Sequence, residues 1–135
     1  MKSRVTRILS IGIALAAVAA VQAKDNSMAA NVPFAFYMGS AAMPQGAYAV
    51  NELAHGAVVV MRSPGGTKSV TTHEVLSNRS VEPARLVFHC YGGNCFLAEV
   101  WTGDTIGEGL AASPREKEMA QRAMPTLAVI RLALH

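Results

Sequence analysis

Short hydrophobic runs with polar residues at alternate positions fill most of this chain, and turn-forming residues separate them. Residues 31–37 put Val32, Phe34 and Phe36 on one face, the period-two signature of a strand. Pro33 cannot donate to a ladder, so this strand is expected at an edge, or with Pro33 among its first residues. Met43-Pro44-Gln45-Gly46 suits a type I turn, with Pro second and Gly fourth. Residues 47–53 and 57–62 read as strands joined by a tight turn at His55-Gly56. Ser63-Pro64-Gly65-Gly66 predicts a type II turn into a strand over residues 67–75, and residues 76–83 read as a polar loop. The clearest local signal is the pair of runs 85–91 and 94–101 around Gly92-Gly93. Two glycines suit a two-residue hairpin turn that needs positive φ. That turn sets Tyr91 opposite Asn94, Cys90 opposite Cys95 and Phe88 opposite Leu97. Gly-rich residues 103–112 leave room for a short edge strand. Ser113 then reads as an N-cap, with Pro114 at the first helical position and Glu116 three residues after the cap. Residues 117–123 hold good helix formers, Pro125 stops the helix, and residues 126–134 read as a closing strand.

The pattern predicts an all-β domain: a small antiparallel sandwich or barrel of about seven or eight strands, with one short C-terminal helix before the last strand. A membrane-spanning barrel is excluded, because its strands need about 9–11 residues with aromatic girdles. The first 23 residues stand apart. Lys2, Arg4 and Arg7 precede an uncharged apolar stretch over residues 8–21, and Val21-Gln22-Ala23 ends it with the small-residue pattern of a cleavable secretory signal. The domain reading is therefore 1–23 signal peptide, 24–30 flexible leader and 31–135 a single β-rich domain, exported to the periplasm or the extracellular space. No later apolar stretch is long enough to span a bilayer as a helix. Three of the twelve bases leave with the signal, so nine bases face nine acids in the mature chain. No basic stripe remains for nucleic acid.

Four segments in order carry a resemblance: Asn31-Val32-Pro33-Phe34-Ala35-Phe36 with Gly39; Pro44-Gln45-Gly46-Ala47-Tyr48-Ala49-Val50; Phe88-His89-Cys90-Tyr91-Gly92 continuing to Phe96-Leu97 and Val100-Trp101; and Gly107-Glu108-Gly109-Leu110 leading into Ser113-Pro114-Arg115-Glu116. The set resembles a family of small exported bacterial proteins with a signal peptide, one β-rich domain and no assigned activity. The resemblance implies the same architecture and no chemistry. The cysteine pair departs from that pattern.

Cys90 and Cys95 are the only cysteines. In an exported hairpin they are expected to form a disulfide in preference to free thiols or a metal site, since zinc needs about four ligands. His55, His73, His89 and His135 show no metal-binding spacing, and no metal or other cofactor is expected. His89 is expected on the strand face opposite the cysteines. Ser63, Ser69, Ser77, Ser80 and Ser113 lack a nucleophile-elbow motif, and Ser113 is explained as a cap. Glu116 and Glu118 are expected to be solvated on the helix, and Glu99 falls in the alternation with Leu97 and Trp101. Phe88, Tyr91, Phe96 and Trp101 concentrate the aromatics in one hairpin, either as core or as a binding face.

The function read from these features is an exported, non-catalytic β domain acting in binding or assembly. The alternatives are a carrier of an apolar or lipid ligand in a barrel cavity, and a small hydrolase using scattered His and Glu residues. The sequence names neither the partner, protein or small molecule, nor an oligomeric state.

Overall fold

A computed structural model describes residues 27–53, 57–78 and 83–134. The signal segment, residues 24–26 of the leader, the His55-Gly56 turn, Ser80 and His135 lie outside the described residues.

The strands are β1 (Met28–Val32), β2 (Phe36–Met38), β3 (Ala41–Met43), β4 (Gly46–Leu53), β5 (Val58–Ser63) and β6 (Gly66–Thr71). They continue with β7 (His73–Leu76), β8 (Arg85–Tyr91), β9 (Asn94–Trp101), β10 (Ile106–Gly109), β11 (Thr126–Arg131) and β12 (Ala133–Leu134), with helix α1 (Pro114–Ala120) between β10 and β11. One sheet runs β12-β1-β4-β5-β6 and the other β11-β8-β9-β10-β7, with β2 and β3 attached to the second through β9. Every pairing is antiparallel except β2 with β9, where Tyr37 lies opposite Phe96. The described strands form a sandwich and not a closed barrel.

The strand count exceeds the expected seven or eight because β3 (Ala41–Met43) lies outside every expected strand and because sheet crossings divide others. Three runs that read as single strands each pass from one sheet to the other. The run through Val32, Phe34 and Phe36 leaves the first sheet after β1 and enters the second at β2. The run 67–75 divides at Thr72 into β6 and β7, and the closing run divides at Leu132 into β11 and β12. The backbone amides at both later corners stay bonded: Thr72 N donates to Ala57 O at 2.8 Å and Leu132 N to Ala84 O at 3.1 Å. Strands that turn the corner of a sandwich keep their inward residues inward. Val32 and Phe36 are accordingly buried, and Phe34 packs against the same core.

Other differences are local. Met28–Ala30, expected in the leader, pair with β4 and begin the fold. Strand β10, expected at an edge, is paired on both sides. The turn between β5 and β6 sits at Pro64-Gly65 as expected, but the positive φ is at Gly66 (141°), so the turn is not type II. The hairpin turn carries positive φ at Gly92 (64°) alone, the signature of type II′.

Between the sheets, Phe88 is fully buried with edge-to-face contacts to Phe34 (5.0 Å) and Phe36 (5.1 Å), and Phe36 meets Tyr48 at 5.5 Å. Tyr48 takes its hydroxyl to the Pro44 carbonyl, which pins the entry to β4. Burial holds the Tyr48 phenol above its ordinary pKa. Val50, Val59, Met61, Leu86, Leu97 and Val100 belong to the same buried cluster.

Candidate functional site

The β8–β9 hairpin organises most of the residues that the sequence singled out. Its register pairs Cys90 with Cys95, Phe88 with Leu97 and Tyr91 with Asn94. Cys90 and Cys95 form a disulfide, with Cα atoms 4.0 Å apart, and their side chains lie on the core face. Near the middle the register shifts: Val87 lies opposite Glu99 while Phe88 lies opposite Leu97, which leaves Ala98 as an extra residue. This bulge separates residues that simple alternation would group. Leu97 and Val100 point inward, and Glu99 and Trp101 point to the outer face.

The four hairpin aromatics therefore do not form one exposed face. Phe88 belongs to the core. On the outer side Phe96 is covered by Tyr37, stacked at 5.1 Å, and meets Tyr91 edge-on at 6.0 Å. Trp101 is buried over β10, with the Arg85 guanidinium 5.0 Å from its ring and its Nε1–H donated to Glu99 Oε1 at 2.8 Å. Arg115 caps the Tyr37 ring at 5.0 Å and donates to the Tyr37 hydroxyl at 2.8 Å.

Helix α1 is placed on this outer face by a carboxylate. The Ser113 cap accepts from Glu116 N at 3.2 Å, as the sequence predicts. The Glu116 side chain, however, is buried, 9 % exposed, rather than solvated. Its Oε2 accepts from Tyr91 OH at 3.1 Å and from His89 Nδ1 at 3.2 Å. Burial first, and then the Glu116 hydrogen bond and charge, raise the Tyr91 phenol above its ordinary pKa. Glu118 is the solvated helix carboxylate, 3.7 Å from Arg122.

His73 reaches the same region, lying against β10 where Gly109 leaves room for it. His73, His89, Glu99 and Glu116 thus line one cleft of about 160 Å³, drawn from β7, the β8–β9 hairpin and the helix. Among the described residues no Ser, Thr or Cys lines this cleft. Its volume is below the roughly 300 Å³ at which ligand pockets begin. No three His, Cys, Asp or Glu side chains among the described residues are placed to hold a metal ion. Both carboxylates already accept hydrogen bonds that position Trp101, His89 and Tyr91.

Two arrangements escaped the sequence reading. The first is a carboxyl pair: Glu52 from β4 and Glu108 from β10 meet between the sheets, bonded by Thr102 Oγ1 (3.2 Å) and Thr72 Oγ1 (2.9 Å) respectively. A signal for it was present, since Glu52 shares the parity of the inward Tyr48 and Val50. The second is a groove of about 650 Å³ across the outer face of the five-stranded sheet. Its floor is a cross-strand row, Ala133–Ala29–Ala49, that continues to Arg62, with Ala47 opposite Asn31 alongside. Arg131, at the end of β11, lines the other side. The row crosses three inter-strand gaps from β12 to β5, about 14 Å. No helix among the described residues is long and apolar enough to cross a membrane. No family model, curated protein or solved structure matches the chain.

Proposed function

We propose that this protein is an exported, non-catalytic binding domain whose ligand lies in the alanine-floored groove. The groove is the single observation that carries the reading. It is larger than the His–Glu cleft, and it presents a small-residue apolar floor between Arg62 and Arg131. That combination fits a ligand with an extended apolar body and an anionic group, because methyl floors admit close approach and guanidinium groups bind carboxylate or phosphate. The carrier alternative keeps its ligand chemistry but not its barrel cavity, since the described strands form a sandwich and not a closed barrel. Export is supported by the basic, apolar, small-residue order of the first 23 residues and agrees with the disulfide.

The test uses the mature chain, recovered from the periplasm or medium and beginning at Lys24, titrated with dodecanoate and with dodecanol by calorimetry. Dodecanoate should bind saturably, with dodecanol about tenfold weaker, a difference of about 1.4 kcal/mol for the lost charge-assisted contact. Ala49→Trp should abolish binding without altering the circular dichroism spectrum. Equal affinity for the two probes, or binding untouched by Ala49→Trp, would remove the groove from the account. One feature favours assembly as a second reading. The edge from Met124 to Leu134 exposes Met124 (89 %), Leu127 (61 %), Val129 (52 %) and Leu134 (82 %), whereas at the opposite edge β6 is mostly Thr, Ser and Lys and β7 exposes one large apolar side chain, Leu76. Self-association at micromolar concentration that Val129→Lys abolishes would transfer the function to that edge.

A further inference from the structure

We propose that Glu52 and Glu108 form an acid-closed clasp between the two sheets, holding one end of the sandwich shut at low pH and loosening it as pH rises. Glu52 follows the inward Tyr48 and Val50 on β4, and Glu108 lies opposite the core residue Val100 on β10. The two carboxyl groups therefore approach from facing sheets. Glu108 is 4 % exposed, a burial rarely given to a carboxylate without a cation. Its described partners are the Thr72 hydroxyl and the Glu52 carboxyl. Thr72 is itself the corner residue at which β6 becomes β7, so the clasp also ties that crossing.

The charges around Glu52 are of one sign. Burial is the largest cause raising its pKa, followed by the Glu108 charge, with Asp104 adding to it; only the Thr102 hydrogen bond acts the other way. On the neighbouring strands the register places Val59 opposite Glu52 and Met28 opposite Val50, neither of them charged. Glu74, opposite Glu108 on β7, is negative and exposed. Arg62 is engaged by Asn51 at 3.4 Å and does not contribute to the Glu52 shift. A cleft of about 240 Å³ lined by Met28, Val50, Asn51, Glu52 and Thr102 opens Glu52, and not Glu108, to solvent.

With Glu52 protonated, its O–H is free to donate to a Glu108 carboxyl oxygen and so to bond one sheet to the other. With both ionised, two like charges face each other where water is scarce. The folded-state pKa of Glu52 lies above the ordinary 4.5, so its contribution to stability is fully present below 4.5 and is lost as pH rises through the raised value. This is the reverse of a salt-bridged carboxylate, and it is independent of whether the groove binds a ligand.

The experiment is a pH series of thermal denaturation, with carboxyl ¹³C titration of Glu52, on the mature wild type, Glu52→Gln and Glu108→Gln. Glu52→Gln should melt higher than wild type at pH 8 by about 4 °C or more, with the gap closing towards pH 4. In Glu108→Gln the Glu52 titration midpoint should move down towards 4.5. Amide exchange at the end of β4 and along β10 should quicken in the wild type between pH 5 and 8 beyond the intrinsic rate, and not in Glu52→Gln. A Glu52 midpoint at or below 4.5, or a pH slope unchanged by Glu52→Gln, would overturn the clasp.

Discussion

Replacing Gly107 by alanine is a sharp test of the outer face, because the added methyl has nowhere to go. A β-carbon there would lie 2.6 Å from Cδ2 and 2.7 Å from Cε2 and Cε3 of Trp101. Carbon atoms attract at about 3.5–4.0 Å, so the overlap approaches 1 Å against three ring atoms. The backbone at Gly107 does not have positive φ, so the conflict is one of space alone. The indole cannot retreat without losing its 2.8 Å hydrogen bond to Glu99 and its place under Arg85. Overpacking costs about 1–3 kcal/mol, and a hydrogen bond to a charged partner contributes about 1.5–3 kcal/mol. Alanine in place of glycine in a strand returns about 0.5–1 kcal/mol. The net expectation is a destabilisation of about 2 kcal/mol, a fall of about 8 °C in melting temperature for a domain of this size. Urea denaturation followed by circular dichroism measures it, and the fluorescence of Trp101, the chain's one tryptophan, reports on the ring itself. In a Trp101→Leu background the same alanine should be neutral or stabilise by about 0.5 kcal/mol. Equal costs in both backgrounds, or no cost in the wild type, would refute the packing of Trp101 on Gly107.

The disulfide closes a loop with a sequence separation of 5, so loop-closure entropy predicts that reduction costs about 2 kcal/mol and leaves the fold intact. Non-reducing peptide mapping should recover one fragment closed across Cys90–Cys95, and complete unfolding on reduction would contradict the estimate. Glu116→Gln removes the charge from the acceptor shared by His89 and Tyr91, and should destabilise by roughly 1–2 kcal/mol in the same denaturation assay. Ultraviolet titration should show the Tyr91 phenol ionising at lower pH in that variant, though still above 10.0 because burial, the larger cause, persists. In the wild type the stability linked to this phenol is intact below pH 10.0 and is lost as pH climbs through its raised pKa.

What the sequence by itself determined is local. Period-two alternation marked Val32, Phe34 and Phe36 as one inward face even though their run changes sheets, because a corner preserves which side faces the core. The two-residue turn at Gly92-Gly93 set the hairpin register, and the register brought the cysteines together. Ser113 and Pro114 started the helix where it starts. Tertiary structure decided what those elements meet. Whether residues 67–75 or 126–134 stay in one sheet depends on neighbours far along the chain, so Thr72 and Leu132 carry no local sign of a corner. The bulge at Ala98 turned Glu99 and Trp101 outward against their alternation with Leu97, and a single extra residue leaves no mark on so short a pattern. Glu116 is a helix-start residue by any local rule, and it became buried only because Tyr91 and His89 wait on the sheet beneath it. Glu52 and Glu108 are 56 positions apart; their contact exists because two sheets stack, a long-range fact that no local periodicity encodes.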